Sequence, residues 1–276
     1  MLTYRKDIGS TDWKENSLLP HERLALKMSQ LFSAVCFRSP STNKCINLPV
    51  SNKQQLYRFL SVEVKEIMTY REITSLPPGS VYIDVGANVG LYCSLACLSN
   101  PKKIIAFEPL PSNLHSLLQL KTFNNISSMS IYGSPLYSES NSLVPLEIPP
   151  QYNAAATGAQ LRPFNGSSNS TISLKTITLD EVISIEKLTA VDLIKLDVDG
   201  LELSILHGSK DALLSRVYKK IICEVQPDEY KSIKDYIESY GYKMTDQDPT
   251  YKSKQIMKLN NLSIFDVPRN LLFQRK

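Results

Sequence analysis

The hydrophobic pattern divides the chain at Pro77-Pro78-Gly79. Upstream, Leu24, Met28, Leu31, Phe32 and Val35 recur at helical spacing, and Leu56, Phe59, Leu60, Val64 and Ile67 repeat it. Residues 1–76 therefore read as an α-helical N-terminal extension, ended by the Pro-Pro-Gly breaker. Downstream, short apolar runs alternate with helical patterns. The runs are Val81–Val85, Lys103–Phe107, Met129–Tyr132, Asp192–Val198 and Lys220–Val225, with helices expected from about Leu91, Ser112, Leu201 and Glu229. A near-continuous apolar run such as Ile221–Val225 is the pattern of a strand covered on both faces. Residues 77–276 thus predict an α/β fold, a doubly wound and mostly parallel sheet with helices on both faces. Leu262–Val267 reads as one more strand. The alternation lapses at about 138–178, where Pro145, Pro149, Pro150 and Pro163 and a Ser/Asn-rich tract predict an irregular insertion.

Composition supports one large core: 276 residues, 42% hydrophobic and 21% charged, exclude disordered, collagen-like and coiled-coil classes. The formal charge of +4 is concentrated at the end. There Lys252, Lys254, Lys258, Arg269, Arg275 and Lys276 face only Asp266, and this reads as a solvated tail. Bulk charge gives no support to nucleic-acid binding. Five cysteines without CxxC spacing or a histidine cluster indicate a reduced protein and no metal site. With no signal-peptide pattern and no apolar run of about 20 residues, a cytoplasmic chain without a membrane span is expected.

Glycine is scarce, with 10 against 16 prolines, so its positions carry information. In Val81–Gly90 an apolar strand runs into Asp84, Gly86, Asn88 and Gly90 and then into a helix. Gly86 permits a sharp turn that lets a ligand lie against the main chain at the helix start. The G-x-x-x-G spacing differs from the G-x-G-x-x-G of dinucleotide sites, and a turn that binds nothing is the competing reading. Its partner decides: Glu108 ends the second strand 18 residues after Gly90, near the offset at which an acid accepts both ribose hydroxyls of an adenosine. A third block, Leu193–Glu202, sets Lys195, Asp197, Gly200 and Glu202 at another strand end.

The motifs IDVGANVG, AFEP and LIKLDVDGLELSILHGS together resemble the FkbM family of class I, Rossmann-like, S-adenosylmethionine-dependent methyltransferases, over roughly residues 79–267. The resemblance implies S-adenosylmethionine as cofactor, held by Asp84, Gly86, Asn88, Gly90, Glu108 and Asp197. It also implies methyl transfer to a hydroxyl of a carbohydrate or secondary metabolite, a small-molecule or glycan acceptor. Lys195, Asp197, Gly200, Glu202, Leu206 and Gly208 match the family's third motif, whereas Asp199 stands where the family has glutamate. In-line displacement is mostly alignment, but a hydroxyl needs a base. Asp197, Glu202, Lys195 and Glu224 are the candidates, with Glu202 as a helix-terminus residue and Lys195 as an ion-pair partner the competing readings. The NAAATGAQL segment, Asn153 to Leu161, is expected to line the acceptor side. Two other functions compete: a metal-dependent glycosyltransferase using Asp197 and Asp199, and a catalytically silent methyltransferase-like binding module with helices 20–75 as its partner surface. Cys93 and Cys97 read as core residues, and His21, His115 and His207 are given no role.

Overall fold

The structure is a computed structural model that describes residues 19–32, 34–38, 43–148, 160–161, 170–198 and 200–276. Upstream of the breaker the helical spacing is realised in α1 (Pro20–Phe32), α2 (Lys53–Lys65) and α3 (Ile67–Thr74). It is interrupted by an antiparallel hairpin of β1 (Val35–Arg38) and β2 (Cys45–Leu48), so the extension is not helical throughout. Val35, which fits the helical register, is instead the first strand residue. The hairpin alternates with period two, Val35, Phe37, Ile46 and Leu48 pointing inward, over only four residues per strand. Such a run is too short to outweigh the helical signal beside it. Asn52 caps α2 by accepting from the Gln55 N–H. The chain then breaks at Glu66, whose φ of −132° and ψ of 74° are not helical, before α3 begins.

The alternating segments become β3 (Val81–Val85), α4 (Leu91–Cys97), β4 (Lys103–Phe107), α5 (Pro111–Phe123) and β5 (Met129–Tyr132). The expected irregular insertion instead holds a small antiparallel sheet in which β6 (Leu143–Ile148) lies between β7 (Gln160–Leu161) and β8 (Ser170–Lys175). β8 is largely polar, and β6, though mostly apolar, is interrupted by Pro145, so neither reads as the uniform apolar run of a covered strand. The chain continues through α6 (Leu179–Ile185), β9 (Leu193–Leu196), α7 (Glu202–His207), α8 (Lys210–Leu214), β10 (Lys220–Val225), α9 (Tyr230–Ser239), β11 (Tyr242–Pro249), α10 (Tyr251–Asn260) and β12 (Arg269–Arg275). Leu262–Val267 is not a strand. Ser263 and Asp266 form a capping box that closes a 3-10 turn, and Pro268 delays the strand until Arg269. Nor is the basic end a solvated tail: β12 lies between β10 and β11, with Leu271 and Phe273 fully buried.

The main sheet has the order β11-β12-β10-β9-β3-β4-β5, with only β12 antiparallel to its neighbours. One core joins Tyr82, Ile104, Leu193, Ile222 and Leu272 to α2, α3, α4, α5 and the hairpin. The other joins Ile83, Ile105, Ile194, Ile221 and Phe273 to α6, α7, α8 and α9. Winding proceeds outward from β3 through β4 to β5, then resumes at β9 on the other side of β3. The carboxyl ends of β3 and β9 are therefore the topological switch point, where open α/β sheets bind ligands.

Candidate active site

At the end of β3 the chain turns through Gly86 at φ +79°, and its N–H and that of Ala87 donate to the Phe107 carbonyl. A Cβ on Gly86 would stand 2.0 Å from the Asp197 carbonyl oxygen, so β3 and β9 can close at the switch point only with glycine there. Gly90, at φ +85°, also answers to packing, since Leu117 and Leu120 of α5 occupy the space a side chain would need. Asn88 adopts φ +51°, and its side chain accepts from the Val89 N–H. Glu108, at the end of β4, accepts from the Asn88 N–H at 2.8 Å and the Leu110 N–H at 2.9 Å. Burial pushes its carboxyl up to about 7 despite those bonds.

Beside this turn lies a second group, centred on Lys195. The register sets Asp84 of β3 directly against Lys195 of β9. Lys195 is 1% exposed, its Nζ lies 2.5 Å from Asp197 Oδ2, and it sits 4.8 Å above the Tyr92 ring. Burial works against this charge, but Asp197, Glu66 and Asp84 together hold the ammonium well above the usual lysine range. Asp84 is wholly buried: Oδ2 accepts from the Cys93 thiol and Oδ1 has no partner. Burial raises both Asp84 and Glu66, and Lys195 opposes the rise in each.

The structure thus brings Asp84, Lys195 and Asp197 together, and places Gly86, Asn88 and Glu108 in the adjoining turn. Glu202 stands apart in role. Its oxygens accept from the Val198 and Gly200 N–H groups, tying down the loop after β9, and burial pushes it to about 7. Glu224, partly buried on β10, pairs in register with Asn270 of β12. Asp199 and Asn153–Ala159 lie outside the described residues. Sequence reading missed Glu66 and Tyr92. Glu66 lies between Val64 and Ile67 of a helical apolar pattern, with no motif beside it to single it out. Tyr92 follows the glycine motif by two residues, inside the helix expected from about Leu91. Among the described residues, no group of three or more His, Cys, Asp or Glu is placed to hold a metal ion. A cleft of about 620 Å³ opens at the opposite edge of the sheet, between β2, the end of α4 and residues 124–128, remote from these groups.

Residues 84–244 match the Methyltransferase FkbM domain, more than half of the chain. Among curated proteins, AMB antimetabolite synthetase AmbE of Pseudomonas aeruginosa is 25% identical over 219 residues, 67% of this chain and 10% of its own length. Hexuronic acid methyltransferase AglP of Haloferax volcanii is 26% identical over 167 residues, covering 60% of this chain and 65% of AglP. The 31-O-demethyl-FK506 methyltransferase FkbM of Streptomyces tacrolimicus is 23% identical over 251 residues, covering 79% and 93%. The chain thus spans a tenth of AmbE and under two thirds of AglP. Among solved structures, M. jannaschii TYW2 in complex with AdoMet superposes with a TM-score of 0.41 at 12% identity, covering 88% of this chain and 87% of that one. The matched span holds Asp84, Gly86, Glu108, Lys195 and Asp197, and on that match the chain belongs to the FkbM methyltransferase family, its domain an S-adenosylmethionine-dependent methyltransferase domain.

Proposed function

We propose that this chain methylates a hydroxyl of a carbohydrate or secondary-metabolite acceptor, a small molecule or glycan rather than a nucleic acid, in the cytoplasm. The observation that carries the reading is the surplus of carboxylate at the switch point, where Asp84, Asp197 and Glu66 surround the single ammonium of Lys195. When ionised they leave net negative charge in a low-dielectric setting, complementary to a sulfonium cation. The other groups fit the cofactor as well. Glu108 stands at the end of β4 for the ribose hydroxyls, and Asp84 Oδ1 is a buried acceptor with no donor of its own. The names of AglP and of the Streptomyces relative, which specify a hexuronic acid and a 31-O position, support an oxygen acceptor on a polyfunctional molecule. No helix among the described residues is long and apolar enough to cross a membrane.

The cofactor supplies, when bound, a methyl group activated on sulfur. The chain's residues do the rest. Lys195 keeps its proton, so it donates to Asp197 and fixes that carboxylate rather than acting as a base. Asp197, 28% exposed, is the member of the cluster that faces outward, and it takes the proton from the acceptor hydroxyl. The carboxylates of Asp84, Asp197 and Glu66 would attract a cationic cofactor more than its uncharged product, which would favour product release. Glu202 acts as a positioning residue by holding the backbone between Asp197 and α7. A metal held by Asp197 is disfavoured, because the Lys195 ammonium already occupies Oδ2.

Calorimetric titration of S-adenosylmethionine into the wild type and Glu108→Gln tests the reading. The substitution removes charge-assisted bonds worth about 1.5–3 kcal/mol, so affinity drops roughly ten- to a hundredfold. Because burial holds Glu108 at about 7, wild-type affinity weakens more steeply as the pH falls through that value than the affinity of the glutamine variant does. Absence of binding by the wild type overturns the proposal.

A further inference from the structure

Resting on that reading, we infer that Asn270 and Thr69 form an acceptor-specificity pocket that hydrogen-bonds a second hydroxyl of the substrate, which makes the acceptor a polyhydroxylated ring rather than a lone alcohol. Asn270 is 1% exposed, yet neither its amide oxygen nor its amide nitrogen has a partner. Thr69 is fully buried, and its hydroxyl meets the Glu66 carboxylate, which leaves its oxygen free to accept. Buried polar groups are ordinarily paired, because leaving them unpaired destabilises the fold, so an amide with neither atom paired calls for a ligand.

Their placement relative to the active site follows from the register. Lys195 lies beside Ile222, and Ile222 beside Leu272, all on the face covered by α2, α3 and α4. Two residues nearer the carboxyl edge on the same face stand Asp197, Glu224 and Asn270, with Asp248 of β11 paired to Asn270. The Met68 N–H donates to Asp248, bringing the first turn of α3, with Thr69 in it, over this strand end. Glu66 immediately precedes that turn and faces Lys195 and Asp197. Asn270 is two strand spacings from β9, about 10 Å, a span that side chains reaching from both ends reduce to the width of a sugar ring. An amide offers both a donor and an acceptor, and a threonine hydroxyl likewise, which is the complement of hydroxyls rather than of a carboxylate or an apolar chain. The cover over these strand ends is the α2–α3 joint at Glu66, where the chain leaves helical angles.

The test uses Asn270→Leu and Thr69→Val, each close in size to the native residue. Thermal unfolding, S-adenosylmethionine titration, and KM and kcat are measured with methyl glycosides of hexoses and hexuronic acids and with their monodeoxy counterparts. Both variants are expected to keep or raise Tm and to bind the cofactor within about twofold of wild type. KM for the full polyol should rise roughly tenfold per lost hydrogen bond, with kcat little changed, and the preference over deoxy analogues should disappear. A fall in Tm of several degrees in both variants would mark the pair as structural and overturn the inference. So would retained discrimination against deoxy analogues, or a cofactor-binding wild type that accepts none of the glycosides. Failure of the wild type to bind cofactor is the separate outcome that removes the underlying functional reading as well.

Discussion

Replacing Lys195 with methionine keeps most of the side-chain volume while deleting the only positive charge in the cluster. Breaking a buried ion pair from one side destabilises by about 3–5 kcal/mol, because the remaining carboxylate is left uncompensated. Here Asp197 is 28% exposed and solvent screens its share, so most of the loss comes from Asp84, which has no exposure at all, and from Glu66. The loss should depend on pH in a definite direction. Burial raises Asp84 and Glu66 above their ordinary values in the folded protein even with Lys195 present. The folded state therefore binds more protons than the unfolded one, and stability falls as the pH rises from the ordinary carboxylate range through the raised values. Without the ammonium both values climb further and the window widens. The deficit relative to wild type should therefore be larger at pH 8 than at pH 5. Urea unfolding followed by circular dichroism at the two pH values measures it. A deficit below about 1 kcal/mol at pH 8, or one that does not change with pH, would refute the account of Lys195 as the counter-charge of a buried acidic cluster.

Two further substitutions separate backbone geometry from charge. Gly86→Ala meets both the left-handed φ and the Asp197 carbonyl 2.0 Å from the new methyl, whereas Gly79→Ala, at the same φ of +79°, meets nothing within 4 Å. The second should cost only the left-handed strain of about 1–2 kcal/mol and leave cofactor binding intact, while the first should cost more and abolish binding; equal denaturation midpoints would contradict this. For Glu202→Gln, burial has raised the native carboxyl to about 7, so the wild type loses stability as the pH rises from the ordinary carboxylate range to that value. The glutamine variant carries no such titration and should gain on wild type across that interval. Parallel stability profiles would show that Glu202 does not titrate as its burial implies.

The parallel strands were legible because they are buried on both faces and need no periodicity to be found. Val81–Val85, Lys103–Phe107 and Met129–Tyr132 read directly from the sequence, as did the turn chemistry at Gly86. The elements that escaped are those whose identity depends on tertiary partners. The four-residue strands of the hairpin are carried by the core beneath them, and β6 and β8 stabilise each other through main-chain bonds that neither the proline in β6 nor the polar side chains of β8 announce. β11, Tyr242–Pro249, is an edge strand rich in charged and polar residues and left little hydrophobic signal. At the site, Lys195 and Asp197 were visible as polar interruptions in an apolar strand. Glu66 was not, since only the break between α2 and α3 turns a surface-like glutamate inward.

The boundary of the family match has a physical counterpart. Residues 84–244 hold the turn at Gly86, the Glu108 carboxylate and the Lys195–Asp197 pair, the groups proposed above to serve the cofactor. Glu66 and Thr69 lie before that span and Asn270 after it, yet α3 and β12 meet over the same strand ends through Met68, Asp248 and the β11–β12 ladder. The arrangement lets flanking segments vary without disturbing the switch point, because the close contact of Gly86 with Asp197 is internal to β3 and β9. On the proposed reading, the acceptor is therefore recognised by parts of the chain that the cofactor motif does not constrain. A further hydroxyl recognised from β12 would then set specificity at a point about two strands from the chemistry. Acceptor preference and methyl transfer could in that case be altered independently, the former through Thr69 and Asn270 and the latter through Asp197 and Lys195.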